Sequence, residues 1–295
     1  MKKVVSLLLA LMLVIACVGC GEKKESAPAQ DAAVNEQTDE GTQDAAEPDA
    51  GAEQEPEAAD EDVAEPEAEA DGSAATGDDA KSEGVMTYEE YVAAELDTEV
   101  VVETYVQAKQ SWWEDKATVY SQDKDGGYFL YNMACSEEDY EKLTVGTKIK
   151  VTGYKAEWSG EVEIIDATFE IEDGNYVAEA EDVTALLGSD ELVDHQNKFV
   201  AFKGMTVEAS KDADGNDVAF LYNWDGSGQD GDDLYFNVSL DGSTYTFTVE
   251  SYLCDNTTDV YNAVKGLNIG DQVDMEGFLY WYEGVNPHIT SLTVK

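Results

Sequence analysis

A mainly β protein with short helices, built as two small five-stranded barrels in tandem behind a disordered acidic linker, is what this sequence predicts. Three observations predict it. From residue 85 onward, β-branched and aromatic runs alternate with turn residues. The elements then fall in the order strand, strand, strand, helix, strand, strand. Finally, Gly146, Gly153 and Gly160 recur as Gly270, Gly277 and Gly284 at a constant offset of 124 residues.

The first barrel opens at Thr87-Tyr88-Glu89-Glu90, which has capping-box spacing and predicts a short helix. Residues 99–113 (EVVVETYVQAKQSWW) read as a long first strand ending in Trp112 and Trp113. Residues 116–122 read as a second strand, and residues 128–134 as a third after the Gly126-Gly127 turn. Ser136 is placed to cap a helix whose first turn is acidic, and Gly146 ends it. Residues 147–157 alternate Ile149 and Val151 inward with Lys148 and Lys150 outward. Ser159-Gly160 is a turn. Residues 161–171 form a fifth strand, where the Ile164-Ile165 pair breaks alternation and suggests a bulge.

This is the strand order of the OB-fold, a partly open Greek-key barrel. The repeat strengthens the reading. Tyr154 and Phe278 share the glycine offset, as do Ile165 and Ile289. A helix over 259–267 precedes the second glycine block as the Ser136 helix precedes the first, and Cys135 and Cys254 each stand just before their helix. Two OB-fold-like domains are therefore expected, at 85–175 and 181–295, the second carrying a longer Asp- and Gly-rich excursion over 210–233.

Residues 1–20 (MKKVVSLLLALMLVIACVGC) join a basic start to an apolar run too short to span a bilayer, as in a secretory leader. Val14-Ile15-Ala16-Cys17 resembles the bacterial lipobox, and Cys17-Val18-Gly19-Cys20 is a second candidate; which cysteine is lipidated stays open. The resemblance implies a lipid anchor at the outer face of a cell membrane. Residues 21–84 hold 22 acidic residues, three lysines, four of the five prolines and no aromatic residue. Such a stretch cannot bury enough apolar surface to order itself, and as a flexible coil would span roughly 45 Å.

The net charge is −48, and all 17 basic residues are lysine. Binding to nucleic acid draws on basic side chains, so the expectation at this stage is no nucleic-acid partner. His195 and His288 have no neighbouring Cys or second His, which argues against zinc. No Gly-x-Ser-x-Gly, phosphate loop or HExxH occurs, so no catalytic residue, no enzyme activity and no cofactor are expected.

Ligand-binding candidates are the aromatics at the barrel loops: Trp112, Trp113, Trp158, Trp224, Tyr280, Trp281 and Tyr282. In OB-folds the loops joining strands one to two and four to five flank the binding groove. Aromatic faces stack on bases or sugars alike; the acidic charge favours a glycan or an envelope protein. The same rings could instead plug the barrels. Asp212, Asp214 and Asn216 resemble a fragment of a calcium loop, but position twelve from Asp212 is Asn223 rather than Glu, and a hairpin turn is the preferred reading. Cys135 and Cys254 either pair across the two domains or stay as separate buried thiols.

YFLYNMACSEEDYEKL (Tyr128 onward) and GTKIKVTGYKAEWSGEVEIIDATF (Gly146 onward) resemble OB-fold lipoproteins of Firmicutes. That resemblance implies fold and address and carries no chemistry. The expectation from sequence is a cell-surface lipoprotein whose tandem domains bind a glycan or protein, the alternatives being a structural envelope component or, third, an envelope hydrolase.

Overall fold

The structure, a computed structural model, describes residues 81–295. The leader with Cys17 and Cys20 and most of the acidic tether lie outside the described residues. A short helix, α1 (Tyr88–Ala93), opens the chain through the expected capping box: Glu90 N donates to Thr87 Oγ1, and Thr87 N donates to Glu90 Oε2. Its far end is tied down by Lys155, whose Nζ donates to the carbonyls of Tyr91, Val92 and Ala94 at 2.8–3.0 Å.

Strands β1 (Glu99–Lys109), β2 (Lys116–Gln122) and β3 (Gly127–Ala134), helix α2 (Glu137–Lys142), and strands β4 (Thr147–Trp158) and β5 (Glu161–Asn175) follow in the expected order. They close in the sequence β1-β2-β3-β5-β4, sealed by a parallel pairing of β3 with β5 at Phe129–Glu163 and Leu130–Ile164. Val102, Val119, Leu130, Ile149, Val151 and Ile164 are buried in the interior. The alternation read in β4 holds: Ile149 and Val151 are core, while Lys148 and Lys150 face partly outward.

Two sequence expectations shift locally. Trp112 and Trp113 lie beyond the end of β1. Trp113 and Lys116 exchange backbone hydrogen bonds around Glu114 and Asp115, both at positive φ, so the chain turns at a two-residue hairpin instead of extending the strand. The β5 bulge falls at Asp166 (φ 49) rather than at Ile164-Ile165, which lets Ile164 and Ala167 both reach the core.

Strand β6 (Glu181–Asp182) and two 3-10 turns lead to the second barrel: β7 (Phe199–Glu208), β8 (Ser210–Lys211), β9 (Asp217–Val218), β10 (Leu221–Tyr222), β11 (Leu234–Leu240), β12 (Ser243–Val249), α3 (Asp259–Lys265), β13 (Gln272–Phe278) and β14 (His288–Val294). The sheet order is β10-β11-β12-β14-β13-β7-β6, and an extra β11–β7 pairing closes five of these strands into a ring. Phe202, Met205, Phe236, Phe247, Val273 and Met275 fill it. The two barrels thus repeat one topology, and the offset glycines share backbone roles. Gly146 and Gly270 sit at φ 88 and 93 before their strands. Gly153 and Gly277 sit where the ladder slips register; a Cβ at Gly277 would lie 2.2 Å from the His288 carbonyl oxygen.

Tyr120 and Phe129 of the first barrel pack on Phe278 and Tyr280 of the second, with Tyr120 stacked on Phe278 at 4.4 Å between ring centroids. Polar ties surround this cluster. Gln122 Oε1 accepts from Phe199 N at 2.7 Å, and Gln110 Nε2 donates to Glu250 Oε2 at 3.0 Å. Glu161 Oε2 accepts from Trp281 N at 2.8 Å. Tandem barrels with this many buried side chains between them are locked, not strung.

Candidate functional site

The excursion over 210–233 folds back on the second barrel instead of projecting from it. Asn223 N donates to Asp233 O at 2.8 Å, and Gly228 N donates to Tyr222 O at 3.1 Å. These bonds fix a turn that holds Trp224 out, 74% exposed. Across from it, the loop between β13 and β14 carries Tyr282 and Asn286. Between the two loops runs a groove of about 520 Å³ whose floor is the β11–β12 face, with Tyr235, Asn237 and Thr246. Two loops flanking the second and third strands of a barrel is the place where OB-folds take ligands.

The groove is polar without being charged. Asn237 is held by its neighbours: its Nδ2 donates to Ser210 Oγ at 3.1 Å, and its Oδ1 accepts from Thr246 Oγ1 at 2.8 Å. Asn286 Oδ1 accepts from Thr248 Oγ1 at 2.8 Å, which fixes the amide plane while its N–H groups find no acceptor among the described residues. Burial, then the nearby Asp233 and Glu250 carboxylates and Tyr282, push the Tyr235 phenol up to about 12, so it stays a neutral donor. Lys211, the one basic residue of the lining, is paired with Asp217 at 2.7 Å. The site therefore offers flat ring faces and fixed neutral hydrogen-bonding groups.

Of the seven aromatics singled out by sequence, Trp224 and Tyr282 are brought together here, and Trp158 of the first barrel lies outside the lining with its ring 5.1 Å from that of Tyr282. Trp281 lines an adjoining hollow that shares Thr246 and Val285 with the groove. Tyr280 is 6% exposed and belongs to the packing between barrels. Trp112 donates through Nε1 to Cys135 O at 2.9 Å, and Trp113 is 58% exposed; neither lines the groove. Asn237, Thr246 and Asn286 had no signal in sequence, because single amides and hydroxyls in strands and loops look like any surface.

Asp212 uses its carboxylate within its own turn, accepting from Asp214 N, Asn216 N and Asn216 Nδ2 at 2.8–3.0 Å, as the hairpin reading expects. Among the described residues no cluster of three or more His, Cys, Asp or Glu is placed to hold a metal ion. Cys135 and Cys254 are separate buried thiols and not a disulfide. Burial raises them to about 11 and about 12.

The arrangement defines a tandem OB-fold protein. No protein-family model matches the sequence, and a search of curated proteins found no match. Among solved structures, the chain is similar to a murine DNA-binding protein bound with double-stranded DNA (12% identity, TM-score 0.32, covering 66% of this chain and 94% of that one). It is also similar to the Ifi202 HINa domain in complex with double-stranded DNA (13% identity, TM-score 0.29, 68% and 96%). A third is a replication protein A heterotrimer bound to single-stranded DNA (10% identity, TM-score 0.25, 72% and 69%).

Two expectations are corrected here: a glycan or protein ligand, and the exclusion of nucleic acid. Those structures are DNA complexes. The exclusion rests on charge averaged over the whole chain. The groove itself is lined by uncharged rings, amides and hydroxyls apart from the paired Lys211, so the average does not describe it.

Proposed function

We propose that this chain is a non-enzymatic binding protein whose second barrel stacks a nucleobase against Trp224, with the β11–β12 face and Asn286 contacting the edge of the base. The observation that carries this reading is Trp224 itself: a large apolar ring held largely in solvent by an ordered loop, at the rim of a groove with neutral hydrogen-bonding walls. Base–aromatic stacking contributes roughly 1–3 kcal/mol per base and is insensitive to sequence. The lining holds rings, amides and hydroxyls, and its one lysine is already paired, which supports binding over turnover.

Charge gives the reading a distinctive signature. Residues 81–295 carry 13 lysines against 44 acidic residues, so a phosphate backbone is repelled at long range. Affinity for an oligonucleotide is then expected to rise with salt, over the range where binding driven by counterion release falls. Titrating tryptophan fluorescence with thymidine and with oligothymidylate at several ionic strengths tests this. Trp224→Ala is expected to weaken binding by roughly 5- to 150-fold. The same affinity in Trp224→Ala as in the parent, or no saturable response to either ligand, overturns it.

The address we propose is the outer face of a cell membrane, as an OB-fold lipoprotein of Firmicutes type held by an acylated Cys17 or Cys20. The support is the basic start, the apolar run and the lipobox-like spacing. Mass spectrometry of the mature protein finding Met1 intact, or both cysteines free of acyl chains, would count against it.

A further inference from the structure

The groove does not end at its own barrel. Tyr282, which lines it, lies with its ring centroid 5.1 Å from that of Trp158 and tilted by 34°. Trp158 closes β4 of the first barrel, where Ser159 (φ 51) and Gly160 (φ 94) form the tight turn into β5. The two loops are pinned to each other. Glu283 N donates to Ser159 O at 2.8 Å. Gly160 leaves room for the Trp281 ring, since a Cβ there would sit 2.9 Å from its Cδ1. One residue later, the buried Glu161 carboxylate accepts the Trp281 amide.

Both residues remain open to solvent, Trp158 being 36% and Tyr282 40% exposed. Trp224, Tyr282 and Trp158 therefore form a row of exposed rings that starts in the second barrel's groove and crosses the seam. A single nucleoside needs one platform. A second and third platform, held in register by the Glu283–Ser159 backbone hydrogen bond and the Trp281 amide on Glu161, fit a ligand with several rings in succession.

We infer that the ligand is a single strand of several nucleotides and that it runs from the groove across the seam onto Trp158, so that both barrels bind it. This rests on the nucleobase reading of the groove and adds the length and path of the ligand. Rigid docking of the barrels spares the strand the cost of ordering them.

The test is a length series on the full chain at salt high enough to screen the acidic surface: thymidine, then oligothymidylates of two, four and eight residues. Affinity is expected to climb roughly tenfold or more between thymidine and the four-residue strand. Trp158→Ala, and Trp158→Leu, which keeps apolar packing on Tyr282 but lacks a flat face, are both expected to abolish that gain. Trp224→Ala is expected to weaken every member of the series. Affinity independent of length, or a four-residue strand bound equally well by both Trp158 variants and the parent, overturns the inference while thymidine binding keeps the groove reading intact. No binding of any member, or tighter binding of an uncharged sugar oligomer, overturns both.

Discussion

The Tyr120 hydroxyl of the first barrel lies 2.7 Å from Nδ1 of His288 in the second, with both residues buried. Burial holds the imidazole down at about 3 and raises the phenol well above its ordinary range. The pair is therefore neutral and shares one hydrogen bond. It sits within the aromatic packing that joins the barrels, beside the stack of Tyr280 on the His288 ring at 4.3 Å. Replacing Tyr120 with Phe leaves a buried ring nitrogen without its partner and is expected to cost about 1–3 kcal/mol in denaturant unfolding. A change of a few tenths would mean the bond adds nothing to the docking.

Stability is expected to depend on pH in a direction unusual for an acidic protein. Burial pushes Glu163 up to about 7 and Glu250 up to about 8 from an ordinary 4.5. Asp233 adds to the rise at Glu250, while hydrogen bonds from Tyr252, Leu253 and Gln110 oppose it. The folded state keeps these carboxyls protonated, so their contribution is complete below 4.5 and is lost as pH climbs through 7 and 8. His288 acts in the other sense, its contribution falling away below 6.5 toward 3. Above about pH 7 the histidine is neutral in both states and the carboxyls set the slope. Tm should decline between pH 6.5 and 8, and Glu250→Gln should flatten the decline. A parent Tm that rises over that interval would show these carboxyls ionise freely.

Gly277→Ala forces a Cβ to within 2.2 Å of a strand carbonyl that cannot swing away. The expected loss is about 2–3 kcal/mol, at the upper end for overpacking. Gly266→Ala is the control: φ there is −88 and the nearest atom to the new Cβ is 3.4 Å away, so unfolding should shift by less than about 0.5 kcal/mol. Equal tolerance at both positions would put the barrel corner elsewhere.

The two thiols give a clean reporter of integrity. Cys135 and Cys254 are buried, with thiols raised to about 11 and about 12. An aromatic disulfide reagent at neutral pH is expected to label neither in the native protein and both in denaturant, because the thiolate is the reactive form. Immediate labelling of either under native conditions would place it at the surface.

Much of the architecture was legible before the structure. The Thr87 capping box, the Ser136 cap and the alternation of Ile149 and Val151 are local signals, and local physics decided them. The glycine offset was legible because backbone crowding at a barrel corner is a property of one residue type. Which rings face solvent was not. Tyr280 turns into the seam and Tyr282 out to the groove two residues later, and no period distinguishes them because the chain leaves regular strand at Phe278. The floor of the groove was hidden for a related reason: it forms where the irregular 210–233 segment folds back, through tertiary contacts no short window contains. His288 stands 124 residues after Ile164, a core position of the first barrel, so the repeat itself marked that histidine for burial.

The grip of Lys155 on α1 has a mechanical consequence. Tension entering the folded part from residue 81 meets Lys81, held by Glu103 O and Asp123, and then Met86 N on Val101 O, before it reaches this short helix, where one ammonium holds three carbonyls. Behind it, β1 is zipped to β4 from Glu99–Tyr154 through Tyr105–Lys148. A tug on the leading end is therefore shared between these ties to β1 and the helix, so no single contact carries the whole load.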